Sequence, residues 1–151
     1  MNQYIMISSP KELPKGSFGS NTTSKGQATE LDFTHLYFEH SHKNKTKKEF
    51  SFSKCLTNEF EAIAYVNKIP LKSAVTGTLN EDEEKCLNIL YEYLKEAVSK
   101  LSEGQEIEMF TCGDGEEDKC SSNPPTTIEL GKIKNLSELL LGNLEIVKIK
   151  P

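Results

Sequence analysis

Three histidines, His35, His40 and His42, fall within eight residues of the chain. On an extended strand His40 and His42 share a face, because successive side chains alternate. A His-x-His pair can ligate zinc or another divalent cation once a third ligand arrives. Glu39, Glu49 and Cys55 are the nearest donors in sequence. Two ligands do not complete a tetrahedral set, so the histidines read first as ordinary side chains beside a lysine-rich turn. A metal site on His35, His40 and His42 stands as the alternative.

Carboxylates crowd the segment Asp114, Glu116, Glu117 and Asp118, which is bounded by glycine and proline. Their order does not meet the calcium-loop pattern, which needs carboxylates at positions 1, 3, 5 and 12 around a glycine at position 6. A Gly- and Pro-bounded acidic loop suits the rim of a protein interface instead. Glu106 and Glu108 alternate with Ile107 and Met109 and read as the wet side of a strand. Lys15-Gly16-Ser17-Phe18-Gly19 and Ser24-Lys25-Gly26 lack the spacing of a phosphate-binding loop, and an aromatic strand follows them rather than a helix. There is no Gly-x-Ser-x-Gly nucleophile elbow. A Cys–His pair such as Cys55 with His35 has no spacing signature of its own, since such sites are defined in space.

Cys55, Cys86, Cys112 and Cys120 include no Cys-x-x-Cys pair, which excludes the common structural zinc frameworks. Cys112 and Cys120 flank a seven-residue loop and could bridge under oxidation. The segment Met1–Ser8 has no basic region and too short an apolar run for a signal peptide. A cytosolic location with four reduced thiols is therefore expected. No run approaches the length of a membrane span.

The chain has 151 residues, 36% of them hydrophobic and 27% charged, which suits one soluble domain. Its formal net charge is −5, and every basic residue is a lysine. The absence of arginine removes the usual bidentate reader of phosphate and guanine, so nucleic acid is not an expected partner. The basic tip Lys43, Lys45, Lys47 and Lys48 has no interleaved aromatics to change that. Residues 1–76 carry +3 and residues 77–151 carry −8. The acidic half would steer toward a basic partner.

These side chains need a scaffold. Tyr4–Ser8 reads as a first strand, followed by a long Pro/Gly/Ser-rich loop over about 10–29. Leu31–His40 reads as an aromatic strand, and Glu49–Lys54 alternates strictly as a second. Glu59–Val66 and Ile69–Thr76 read as a hairpin, with a short helix over 56–66 as the rival. Thr78 and Asn80, each with a glutamate three residues on, offer capping boxes for a long helix over about 79–101. Its stripe is Leu87, Leu90, Leu94, Ala97, Val98 and Leu101. Strands are expected over 105–112, 126–133 and 144–150, with a short helix near 136–141.

The fold expected is α+β: a mainly antiparallel sheet of five to seven strands with the long helix on one face. The function expected is non-enzymatic, stoichiometric protein–protein association with a basic partner and no cofactor. An inhibitor or toxin-neutralising (immunity-type) protein is one instance of that class. The alternatives are a metal-dependent enzyme on the histidine cluster and a small-ligand domain that uses loop 10–29.

Overall fold

The computed structural model describes residues 3–14, 16–18, 36–42, 52–65, 69, 71, 77–113, 115–119, 124–140 and 142–151. Side chains are described for all of these but 16–18, 36–42 and Tyr65. The elements run β1 (Gln3–Ser9), β2 (Gly16–Phe18), β3 (Leu36–His42), β4 (Phe60–Tyr65), α1 (Glu81–Ser99), β5 (Ile107–Gly113), β6 (Thr126–Glu129) and β7 (Ile146–Lys150). The strands form one seven-stranded sheet in the order β2-β3-β4-β1-β5-β7-β6. All neighbours are antiparallel except β6 and β7, which are parallel. This is the expected α+β architecture. No helix among the described residues is long and apolar enough to cross a membrane.

Helix α1 starts where its capping residues say it must. Asn80 Oδ1 accepts from Glu83 N at 2.8 Å, and Glu83 Oε1 accepts from Asn80 N at 2.9 Å. Two otherwise orphaned donors are satisfied, and the acidic first turn complements the helix dipole. Glu81 and Lys85, four residues apart, pair at 3.2 Å on the exposed face. Leu87, Leu90 and Leu94 are fully buried, as the stripe requires. They pack with Ile5, Ile7, Ala62, Ala64, Ile107, Met109, Val147 and Ile149 from one face of the sheet. Leu79 and Leu101, expected inside the helix, flank it and pack against the same core.

Of the loop expected over 10–29, residues 10–14 and 16–18 are described, and they lie against this core and the sheet edge. Leu13 is buried, and the Tyr93 hydroxyl donates to the Pro14 carbonyl at 3.0 Å. Burial, and secondarily the charge of Glu96, pushes the Tyr93 phenol above its ordinary value. Gly16–Phe18 forms an edge strand against β3.

Four expected elements differ in extent or type. Residues 52–54, the end of the expected strand Glu49–Lys54, are not extended into the sheet; they begin a strap, residues 52–58, that crosses its second face. The hairpin over 59–76 supplies β4, which β3 and β1 flank; of its expected second strand only Ile69 and Leu71 are among the described residues, and neither is in a strand. The strand expected over 126–133 stops at Glu129, where a 3₁₀ turn over Leu130–Lys132 buries Leu130. The short helix near 136–141 is a 3₁₀ turn over Leu136–Leu139, capped reciprocally by Asn135 and Glu138.

Candidate functional site

The face of the sheet away from α1 carries a second, smaller core. Met6, Phe110 and Cys112 project from β1 and β5, and the strap lays Cys55 and Leu56 over them. Tyr4, Phe52, Ile63, Leu144 and Ile146 close its edges. Leu144 adopts a left-handed φ of 65° while its N–H donates to the Thr111 carbonyl at 2.8 Å. That conformation costs a non-glycine residue energy, and the apolar contact and the hydrogen bond hold it there.

At one end of this face the rows turn polar. Ser8 on β1 is paired in register with Glu61 on β4 and with Glu108 on β5. All three side chains are buried: Ser8 and Glu61 at 0% exposure and Glu108 at 5%. Buried carboxylates need donors, and the strap supplies them. Glu108 Oε1 accepts from Ser8 Oγ at 2.8 Å, Thr57 N at 2.7 Å and Thr57 Oγ1 at 2.9 Å. Glu61 Oε1 accepts from Phe52 N at 2.7 Å. Asn58 Nδ2 donates to both the carbonyl and the hydroxyl of Ser8 at 3.2 Å. The strap therefore uses side-chain carboxylates where a strand would use ladder carbonyls. A serine within hydrogen-bond distance of a carboxylate has the geometry of an activated hydroxyl. With the strap in place Ser8 has no exposed surface, and the pair acts as architecture.

Glu108 thus departs from the wet side expected of it. Glu106, just before β5, pairs with Lys148 at 3.3 Å in a half-exposed position. The sequence carries a signal for this: the face that begins with Glu106 and Glu108 continues as Phe110 and Cys112, so it must become covered.

The acidic loop lies beside the strap. Ser53 Oγ donates to the Glu117 carbonyl, and Lys54 N donates to Asp118 Oδ1 at 2.9 Å. Cys55 Sγ lies 3.9 Å from the Glu117 carbonyl. Glu116 Oε1 accepts from Gly113 N at 3.2 Å and from Asn143 Nδ2 at 3.4 Å. Glu117 Oε1 accepts from Gly115 N at 3.1 Å, where Gly115 takes a φ of 82° that favours glycine. Glu116 and Glu117 are half-buried and Asp118 is exposed. The structure brings these three carboxylates together; Asp114 lies outside the described residues.

The histidine candidates are placed by backbone alone. His40 pairs in register with Ala62 and His42 with Phe60, two steps apart on β3; His35 lies outside the described residues. Among the described residues no group of three or more His, Cys, Asp or Glu side chains is arranged to hold a metal ion.

The cysteines differ from the four reduced thiols expected. Cys86 and Cys112 are buried and not disulfide-bonded, whereas Cys55 is disulfide-bonded; Cys120, the expected partner of Cys112 under oxidation, lies outside the described residues. Two aromatic side chains near the acidic loop in sequence, Tyr93 and Phe110, are fully buried core residues. Tyr91 is half-buried, with Lys95 Nζ 5.6 Å from its ring centre.

No protein-family model matches this chain, and neither a curated protein nor a solved structure matches it.

Proposed function

We propose that the protein acts by stoichiometric association with a basic protein, with Asp114, Glu116, Glu117 and Asp118 at the rim of the contact. An inhibitory or toxin-neutralising role is one instance of this reading. The observation that carries it is the docking of the acidic loop on the strap. Three of the four carboxylates are fixed by hydrogen bonds to backbone or to neighbouring side chains. A loop already held in one conformation gives up less entropy on binding than a free one. The charge of the C-terminal half supports the sign of the partner.

Rim charges mostly set the encounter rate and its salt dependence. Changing Asp114 and Asp118 to Asn, and Glu116 and Glu117 to Gln, keeps an acceptor oxygen at each position and removes the charge. Surface plasmon resonance against a partner recovered from native lysate should show several-fold slower association at low salt, with dissociation nearly unchanged. Equal association rates for both forms at low and high salt would remove the loop from the interface.

A further inference from the structure

We infer that the partner docks through an extended segment that adds as a strand to the open edge of β6, aliphatic where it pairs and basic at its C-terminal end. This rests on the reading of the acidic loop given above and names the part of the partner that the loop attracts. β6 ends the sheet, and among the described residues its only neighbour is β7. An edge strand offers its main-chain N–H and C=O groups to any strand that comes alongside. Thr126, Thr127 and Glu129 are exposed and Ile128 is half-buried, so this edge is within reach of solvent. Pro124 and Pro125, which have no N–H, precede the strand, and the 3₁₀ turn over Leu130–Lys132 follows it. These limits leave a slot of four residues rather than an edge open along its length.

Register and charge describe the occupant. Ile128 is level with Ile149, which is buried on the helix face, and Ile133 and Leu136 are half-buried around the same core. An aliphatic side chain on the added strand extends that layer. The charges at the two ends of β6 differ. Lys132, Lys148 and Lys150 surround the Glu129 end, where Lys132 pairs with Glu129 and Lys148 with Glu106. The acidic loop lies at the other end. Glu116 Oε1 accepts from Gly113 N, at the end of β5, and from Asn143 Nδ2, just before β7. β6 runs parallel to β7, so Thr126 lies at that same end of the sheet. An added strand stands three strand spacings, roughly 14 Å, from β5. That is inside the Debye length of about 30 Å at 0.01 M salt. Antiparallel pairing is the more stable mode per residue, and it puts the C-terminal end of the segment beside Thr126. Cations therefore belong at that end. The main-chain bonds hold the segment, and the loop speeds its arrival and sets its direction.

The probes are two short synthetic peptides of one composition, alternating valine and threonine with a run of lysines at the C-terminal end in one and at the N-terminal end in the other. Titrated into the full, ¹⁵N-labelled chain, the C-terminally basic peptide should shift the amides of Thr126–Glu129 and slow their hydrogen exchange several-fold. It should bind several-fold more tightly than its counterpart at low salt, and high salt should remove the difference. N-methylation of its alternate amides should abolish binding. Shifts confined to residues 115–119, equal binding of the N-methylated peptide, or no binding would overturn the edge assignment. So would shifts in Thr126–Glu129 that follow protein concentration without peptide, which would give the edge to a second copy. The variant with Asp114 and Asp118 changed to Asn and Glu116 and Glu117 to Gln separates the two readings. It should keep the edge shifts and lose the preference between peptides. A preference that survives in it would remove the acidic loop from the contact and leave the edge in place.

Discussion

Replacing Glu108 with alanine is the sharpest probe of the second face. The change removes one acceptor that serves three donors: Ser8 Oγ, Thr57 N and Thr57 Oγ1. Thr57 is exposed, so water can replace two of those bonds. Ser8 is fully buried and loses its acceptor without replacement. An orphaned buried hydroxyl costs about 1–3 kcal/mol, and hydrogen bonds to a charged acceptor contribute about 1.5–3 kcal/mol each before water compensates. The expected loss is therefore about 3–4 kcal/mol, with the strap released from β5. For a chain of this size each kcal/mol lowers Tm by roughly 2–4 °C, so Tm should fall by roughly 10 °C. Glu108→Gln keeps an acceptor and loses the charge, and should cost about 1 kcal/mol. Thr57→Ala removes one bond at an exposed site and should cost less than about 1 kcal/mol. Urea melts of the three variants, followed by circular dichroism, rank them. If Glu108→Ala costs no more than Thr57→Ala, the carboxylate is not what holds the strap.

The helix face gives a second comparison. Leu94→Ala should cost about 2–5 kcal/mol, because Leu94 is fully buried, and Lys95→Ala on the exposed side should change little. Equal denaturant midpoints would assign the wrong face to the core. Tyr93 has a raised phenol pKa, so the folded state keeps its proton where the unfolded chain releases one. Its contribution is complete below pH 10.0 and is lost as the pH rises further. Tyr93→Phe should thus lose about 1 kcal/mol at neutral pH with the Pro14 hydrogen bond, and unfold less steeply in alkali. An unchanged alkaline limb in a pH-dependent melt would count against this. Glu129 is held below the ordinary carboxylate range by its hydrogen bond with Lys132 and then by that lysine's charge. The stabilisation it provides is present above that range and lost as the pH falls through the lowered value. Lys132→Met should raise the Glu129 titration midpoint by carboxyl NMR, and no movement would mean that the 2.9 Å ion pair does not persist in solution.

The long helix was legible because two independent signals coincide on it. The Asn80–Glu83 box marks its start, and the leucine stripe has a helical period. The strands β1, β3, β4, β5 and β7 were legible from alternation, although their ends moved by a few residues. The strap was not. Glu49–Lys54 has the alternation of a strand, and alternation does not say what the backbone N–H groups bond to. Phe52 N finds its acceptor on Glu61, nine residues away. Glu108 was misread for a related reason: a glutamate beside apolar neighbours is the usual sign of solvent. Here a separate segment covers it, and that contact spans 51 residues. The acidic loop was legible as a loop and as acidic. That its carboxylates bond inward to hold it in place was not, because the strap that meets it lies more than 60 residues earlier.

β1 is the hub of the sheet, and its position has a cost in time. It is the only strand that joins the β2-β3-β4 side to the β5-β7-β6 side among the described residues. One of its partners begins at Phe60 and the other at Ile107. The Ser8–Glu108 contact alone spans 100 residues. Pairings this distant raise contact order and slow folding toward the millisecond-to-second range. On the ribosome, β1 emerges early and waits for β5. At roughly 5–20 residues per second that wait lasts about 5–20 s. Throughout it Ile5, Met6 and Ile7 lack the β5 partners that help bury them in the finished sheet. A strand that is central when folded is, during synthesis, an apolar edge open to other chains, and chaperone capture of the nascent protein should centre there.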